Sequence, residues 1–403
     1  MKIAGIIAEY NPLPGGHTHL MEEIRSRLGQ DTAIVCVMSG DFVQRGDFAL
    51  VRRHARAKAA VQSGADLVLE LPLPWAVSSA ERFADGGVRM LAATGVVSHL
   101  AFGSECGDAA ALMHLAETLN SPELAGQLKE ELASGVSYAA ARQKAVARLL
   151  TAEQATLLQD PNNILGVEYC KSIHRHGFSM EPLTIPRKGD AHDSAEVGDV
   201  NAPSASAIRA LLREGRKEDA LALMTPDMEA AYLTEERLGR APVFLETCER
   251  SILAKLRSMT IEDFAALDEG REGLCNRLYE ASRRATSVAE ILEQAKTKRY
   301  AYSRLRRMLL WAYLGLKPAD FPEEPAYIRP LAANAVGRQL LGMMRKSAAV
   351  PVLTKPGDVR RMDGAAQRLF ELEARGADLY ALAYPDLSAA EGDSIWRKGP
   401  VIL

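Results

Sequence analysis

The chain has 403 residues, 47% of them hydrophobic and 25% charged, with a formal net charge of -3. That length exceeds one ordinary core and predicts two domains, while the balance excludes long disorder, collagen-like repeats and a membrane protein. From Met1 the sequence runs directly into the apolar segment Ile3 to Ala8, without the features of a secretory signal. No apolar run approaches the roughly 18 residues that span a bilayer, so the expected compartment is the cytosol, with no membrane partner. The five cysteines (Cys36, Cys106, Cys170, Cys248, Cys275) show no C-x-x-C spacing and read as reduced, mostly buried thiols.

In chain order, short apolar runs at Lys2 to Ala8, Thr32 to Met38, Asp66 to Leu71, Ser98 to Gly103 and Met180 to Pro186 read as buried central strands. Helical patterns fall between them at His17 to Leu28, Leu50 to Ser63, Ala80 to Thr94, Ala109 to Leu132, Tyr138 to Leu149 and Asn163 to His176, with Gly29, Gly64, Gly95 and Gly177 as stops. This alternation predicts an α/β fold, a Rossmann-like parallel-sheet domain, over residues 1–225. After a short helix from Ser204 to Gly215 strand signals thin out, and residues 226–403 read as mostly helical, broken at Pro322, Pro330, Pro351 and Pro385. The domain boundary is expected between residues 215 and 245. A late strand pair is expected around Val350 to Leu353 and Leu379 to Tyr384.

The most informative stretch is Ala4 to Leu20, where a buried strand ends at Asn11-Pro12 and a Gly15-Gly16 turn feeds a helix beginning at His17. Ligands of parallel α/β sheets bind beyond the carboxyl ends of strands, and a glycine turn lets backbone amides and the positive helix end approach phosphate oxygens. An imidazole there can stabilise charge as it builds on a phosphate, which makes His17 the candidate. Taken alone, Gly-Gly is equally an ordinary tight turn. A second helix start, Pro203-Ser204-Ala205-Ser206-Ala207-Ile208-Arg209, brings hydroxyls, free amides and a guanidinium together, as a triphosphate requires. Ser204, Ser206 and Arg209 are therefore added to the site, although Ser204 also reads as a plain N-cap.

These two segments resemble the H-x-G-H and I-S-S-T-x-I-R signatures of the nucleotidylyltransferase superfamily. GIIAEYNP (Gly5 to Pro12), MSGDFVQRGD (Met38 to Asp47), DLVLELP (Asp66 to Pro72), SSAERFADGGV (Ser78 to Val88), AFGSE (Ala101 to Glu105), PNNILGVEY (Pro161 to Tyr169) and KTKRYAYSRLRR (Lys296 to Arg307) narrow the resemblance to the bacterial tRNA(Met) cytidine acetate ligase family. The resemblance implies ATP-dependent activation of acetate as acetyl-adenylate and acetyl transfer to N4 of the wobble cytidine of elongator tRNA(Met), with ATP accompanied by magnesium. It also implies nucleotide contacts from Ile7, Ala8, Glu9, Tyr10, Asn11, Pro12, Gly15, Gly16, His17, His19 and Leu20, and from Gly103, Asn162 or Asn163, and Arg187, with Ser204 beside them. The roles given to His17, Ser206 and Arg209 are catalytic. One departure stands out: where the family pattern has His-Asn-Gly-His, this chain has Pro14-Gly15-Gly16-His17, and proline cannot donate a proton.

The loop Ser39 to Asp47 follows the second strand and opens on the same sheet edge, where Arg45 can hold a carboxylate and Asp41 can accept a metal or an amine proton. An exposed loop with a charge pair is an equal reading. From Lys296 to Lys346 eleven Lys or Arg residues face three acidic ones, the footprint of a polyanion site. On a helix spanning Ala289 to Leu316, Lys296, Tyr300, Arg304 and Arg307 form a stripe for phosphates, with Tyr300 to stack on an unpaired base and Lys298 and Arg299 adding charge. A solvated helix face is the alternative, and Arg329 and Arg338 are open to both readings. Two further functions fit these residues: a small-molecule adenylyltransferase, or a catalytically impaired nucleotide- and RNA-binding homologue on account of Pro14.

Overall fold

The computed structural model describes residues 1–136, 138–186, 204–267, 273–297 and 300–403. Its strands are β1 (Ile3–Ala8), β2 (Ala33–Ser39), β3 (Phe42–Val43), β4 (Asp47–Phe48), β5 (Leu67–Leu71), β6 (His99–Ser104), β7 (Glu181–Pro186), β8 (Pro330–Ala333) and β9 (Val401–Ile402). Seven of them form one sheet in the order β7-β6-β1-β2-β5-β8-β9, while β3 and β4 make a small hairpin. The strands from β7 to β5 are parallel, in register from Ile3 beside Ala33 to Ala8 beside Met38. Every residue of β2 and β5 is buried, which is why these segments read as unbroken apolar runs rather than alternating ones.

Helices cover both faces. On one face α1 (Gly15–Leu28), α2 (Arg53–Gln62) and the Ala205–Arg213 and Pro226–Arg237 helices enclose Ile6, Met21, Ile24, Val61, Ile208 and Met228. On the other, the Ala80–Ala93, Ala109–Leu119, Pro161–His176 and Ala335–Ser347 helices enclose Val35, Leu69, Leu91, Val167 and Leu340. Two glycines set the approach of the Ala80–Ala93 helix: a Cβ on Gly86 would lie 2.4 Å from the Trp75 ring, and one on Gly87 2.7 Å from Ile7. A third core, built around Trp311, Phe264 and Phe370, is formed mostly by the later helices and also takes in Phe42, Phe48, Leu73 and Val77 of the α/β part. Among the described residues no helix is long and apolar enough to cross a membrane.

Four expectations are corrected. The pattern from Ala109 to Leu132 is two helices, because Ser121 caps a new one that starts at Pro122. The pattern from Ala289 to Leu316 is likewise two, Val288–Ala295 and Tyr302–Leu314, the second ending on left-handed Gly315. Leu379 to Tyr384 is no strand but the end of the Gly364–Ala381 helix and the residues after it, and Val352 makes only one bridge, to Ile328. The late strands are instead β8, antiparallel to β5, and β9, parallel to β8. Pro330 is not a break: proline is tolerated as a strand's first residue, and there it opens β8.

Candidate functional site

Beyond β1 the chain makes a sharp exit through Tyr10, whose φ of 47° lies in the left-handed region. Asn11 is buried, and its Oδ1 accepts a 2.7 Å bond from the Leu50 amide. Pro14 pairs with Met224, and the Leu13 carbonyl accepts from the Thr225 amide at 3.3 Å, so the loop is clamped between α2's approach and the Pro226–Arg237 helix. Helix α1 then begins at Gly15 with no side-chain cap and no acidic residue in its first turn. The positive end of the helix faces the loop edge, where an anion is favoured, while the His17 amide donates to the Pro14 carbonyl at 3.1 Å. A Cβ on Gly15 or Gly16 would meet nothing within 4 Å, and neither residue has a positive φ. They are therefore the first two residues of a helix facing open space, not the tight turn expected. His17 sits one residue on, its ring edge-on to Tyr10 at 5.2 Å. His19 is exposed and, at about 100° per residue, lies about 200° round the helix from His17, so the geometry does not bring the two together. Leu20 packs into the core beneath.

The second motif meets the first. Ser204 caps the Ala205–Arg213 helix through a 3.0 Å bond from the Ala207 amide, and Ile208 and Leu211 share a core with Tyr10 and Leu13. Arg209 reaches from this helix to the β1 loop: its Nη1 donates to the Asn11 carbonyl at 2.5 Å, and its Nη2 to Ser206 Oγ at 3.2 Å. Burial pulls this guanidinium below its ordinary pKa, Asp47 and Glu9 oppose the shift, and Arg213 and Arg306 add to it. It stays charged, as an arginine does throughout the working range.

Gly103 is the penultimate residue of β6, which lies directly beside β1, so it opens on the same edge. Asn162 and Asn163 begin the Pro161–His176 helix next to it, and here the expectation changes. Asn163 is 1% exposed; its Oδ1 accepts from the Glu105 and Cys106 amides at 3.1 Å each, and its Nδ2 donates to Asp160. The Glu105 carboxylate in turn accepts from the backbone amides of Asn162 and Asn163 and from Asn162 Nδ2 at 2.6 Å. Asn163 therefore shapes the loop after Gly103 rather than presenting its amide to a base edge, because both ends of that amide are already engaged. Arg187 lies outside the described residues.

The Ser39 to Asp47 loop is anchored, not loose. Asp41 is buried and grips Arg53, whose Nε and backbone amide donate to it at 2.8 and 2.9 Å. Burial alone would raise the Asp41 pKa, but Arg53 reverses this and holds the carboxyl below its usual range. Asp41 is thus committed to an ion pair and not offered to a metal or an amine. Arg53 also meets Glu70, which bonds Arg329, which in turn lies 3.1 Å from Glu373. Arg329 is by this a member of a buried ionic network, not a surface cation. Arg45 is partly exposed.

Arg56, unremarked in the sequence, is wholly buried and donates to the carbonyls of Val51, Glu9, Ser39 and Gly40. It joins the loop after β1 to the loop after β2. No local signal reveals it, since three of its four acceptors are backbone atoms distant in sequence. Glu9 adds a second tie, accepting the Gln44 amide at 2.7 Å.

The basic segment comes close to this edge. A Cβ on Gly46, which has a φ of 73°, would lie 2.4 Å from the Arg307 amide, so the loop sits against the second turn of the Tyr302–Leu314 helix. Asp47 Oδ2 lies 2.8 Å from Arg306 Nη2. Because Lys296 follows the Val288–Ala295 helix while Arg304 and Arg307 belong to the Tyr302–Leu314 helix, Lys296, Tyr300, Arg304 and Arg307 do not form one helical stripe. Tyr300 is 3% exposed and part of the helical core, so its ring is not available for stacking, and Arg307 is buried too. The exposed aromatic is Tyr302, at 43%. Lys296 is exposed, Arg304 sits over the Tyr300 ring, and Lys298 and Arg299 lie outside the described residues.

The model of the HIGH Nucleotidyl Transferase family matches residues 1–394. The tRNA(Met) cytidine acetate ligase of Acetivibrio thermocellus is 38% identical, with 100% of both chains covered. That of Alkaliphilus metalliredigens is 34% identical, covering 99% of this chain and 98% of its own. Crystal structures of Thermotoga maritima TmcAL, 32% identical and fully covered, superpose with TM-scores of 0.96 in the apo form and 0.94 with alpha-thio ATP bound. A sheet edge where two helix starts share one arginine contact, and matches that run the full length, lead to one conclusion: the chain belongs to the HIGH nucleotidyl transferases, among the tRNA(Met) cytidine acetate ligases.

Proposed function

We propose that the protein activates acetate with ATP as acetyl-adenylate and transfers the acetyl group to N4 of the wobble cytidine of elongator tRNA(Met). The observation that carries this reading is the bond from Arg209 to the Asn11 carbonyl, which sets the two motif segments around one space at the sheet edge. In this reading ATP lies with its adenosine toward Gly103 and its phosphates against the uncapped start of α1, His17, Ser206 and Arg209. An acetate oxygen attacks the α-phosphorus and pyrophosphate leaves with the electron pair of the broken bond. The cytidine N4 then attacks the acetyl carbon, AMP departs, and the amine gives up a proton. The amides of Gly15 and Gly16, His17 and Arg209 act by stabilising negative charge on phosphate oxygens.

Magnesium would come with the triphosphate. Among the described residues no three His, Cys, Asp or Glu side chains are grouped to hold a metal, and no step above passes through one. Residues 1–225 supply the nucleotide chemistry in this scheme, and residues 226–403 most of the tRNA surface, in the cytosol. The Thermotoga structure with alpha-thio ATP and the names of the relatives support the same assignment.

A second reading, an impaired homologue, is favoured by one observation: Pro14 is buried at the N-cap of α1, where the family pattern has histidine. The test is incubation of native protein and Pro14→His with ATP, acetate and elongator tRNA(Met), followed by nucleoside mass analysis and acetate-dependent exchange of pyrophosphate into ATP. Acetylcytidine from the native protein is the expected result. Product from the variant alone would establish the impaired reading, and exchange that ignores acetate would point to a small-molecule adenylyltransferase.

A further inference from the structure

We propose that Arg306, carried by the helical part of the chain, is a phosphate-binding residue of the nucleotide site for the β- and γ-phosphates of a nucleoside triphosphate, and that Asp47 is its positioning residue. The inference rests on the ATP reading above. Arg306 belongs to the Tyr302–Leu314 helix, far in sequence from both nucleotide motifs. Yet its guanidinium lies 2.8 Å from Asp47 Oδ2, at the end of the loop that Glu9 and Arg56 tie to β1. The same carboxylate lies 3.8 Å from Arg213 Nη2, on the helix that carries Arg209. Arg209 feels the charges of Asp47, Glu9, Arg213 and Arg306 together. Three guanidiniums from two helices thus gather around Asp47 and Glu9, with Glu246 beside Arg213, at the place where the phosphates of a triphosphate would lie.

The placement is fixed by more than charge. Asp47 is 6% exposed, and its Oδ1 also accepts from the Phe48 amide at 2.9 Å, so its carboxylate cannot swing. Gly46 must be glycine for the loop to close on the Arg306–Arg307 backbone. Arg306 itself is 27% exposed, and its buried Nε has no hydrogen-bond partner among the described residues. With five donors on one planar fork, a partly exposed guanidinium can hold a phosphate as well as the Asp47 carboxylate. Arg213 is less suited, being stacked on Phe244 and paired with Glu246. Since AMP lacks the outer phosphates, Arg306 distinguishes ATP from AMP.

The experiment compares ATP and AMP affinities by titration calorimetry, and elongator tRNA(Met) affinity by filter binding, for the native protein, Arg306→Gln, Arg306→Met and Arg306→Lys, with folding checked by thermal melting. The Gln and Met variants are expected to bind ATP about tenfold more weakly, the loss of one charged hydrogen bond, with AMP and tRNA within about twofold of native. Lys should retain most of the ATP preference. Arg306→Met suits a mostly buried stem and replaces Gln if that variant does not fold. An unchanged ATP-to-AMP ratio, or equal loss of both nucleotides, overturns the proposal in favour of a purely structural clasp. Weaker tRNA binding with ATP unaffected overturns it in favour of an RNA contact. Failure of the acetate reading shows separately, as native protein that binds ATP without acetate-dependent exchange.

Discussion

Replacing Arg56 tests how the two site loops are held. The guanidinium is 0% exposed and donates to four carbonyl oxygens, those of Glu9, Ser39, Gly40 and Val51. In Arg56→Lys the ammonium reaches one of these, leaving about three bonds unmade and their carbonyls without partners. At the lower end of the range for bonds to a charged group, roughly 1.5 kcal/mol each, the loss is about 4–5 kcal/mol. Desolvation of the buried cation, which also pulls its pKa down, is common to both side chains and does not offset this. The penalty is a large part of the roughly 5–15 kcal/mol that keeps a domain folded. Urea unfolding followed by tryptophan fluorescence measures it, and ATP affinity should fall in the same variant because Glu9 and the Ser39–Gly40 loop lose their common anchor. A stability change under about 1 kcal/mol would refute the argument that this side chain holds the two loops together.

Three further outcomes follow from the same geometry. Arg209→Lys should lower acetate-dependent pyrophosphate exchange on the order of 100-fold, since it removes the forked contact between the motifs while keeping the charge. A rate within threefold of native would show that the contact is dispensable. Glu70→Gln removes the carboxylate between Arg53 and Arg329 and should cost about 3–5 kcal/mol in urea unfolding, because two buried cations lose their shared partner. His54 is pushed down to about 3 by burial and by the positive charges of Arg53 and Arg329. The unfolded chain protonates this histidine near its ordinary value while the folded chain does not, so stability declines as pH falls from about 6.5 toward 3. His54→Gln should flatten that decline by up to one proton's linkage, about 1.4 kcal/mol per pH unit, and a slope identical to native would remove His54 from the account.

What the sequence revealed depended on how local the physics was. The parallel strands were legible because β2 and β5 are buried on both faces and so are continuously apolar. The stops at Gly29, Gly64, Gly95 and Gly177 were legible because each adopts a positive φ, which disfavours other residues. The two helix starts of the proposed nucleotide site were legible, but not the bond that joins them, which crosses nearly the whole α/β part of the chain. Long-range partners also hid the roles of Arg56 and Arg329, which composition counts as surface cations. Tyr300 and Tyr302 could not be told apart by periodicity, since the helix begins only at Tyr302 and its face is set from there. Asn163 looked like a base reader because an asparagine at a helix start suits either job, and only the Glu105 and Cys106 amides decide which one it has.

The order of synthesis gives β8 and β9 a particular weight. Strand β5 is buried along its whole length, yet its outer neighbour is not made until about 260 residues later, when Pro330–Ala333 emerges, and β9 closes that side only at Val401–Ile402. Until then a flat apolar strand with unpaired amides stands at the margin of a growing polypeptide, the kind of surface that recruits other chains. A nascent molecule halted after the nucleotide motifs would carry both helix starts, lack Arg306, and be the form most prone to aggregate.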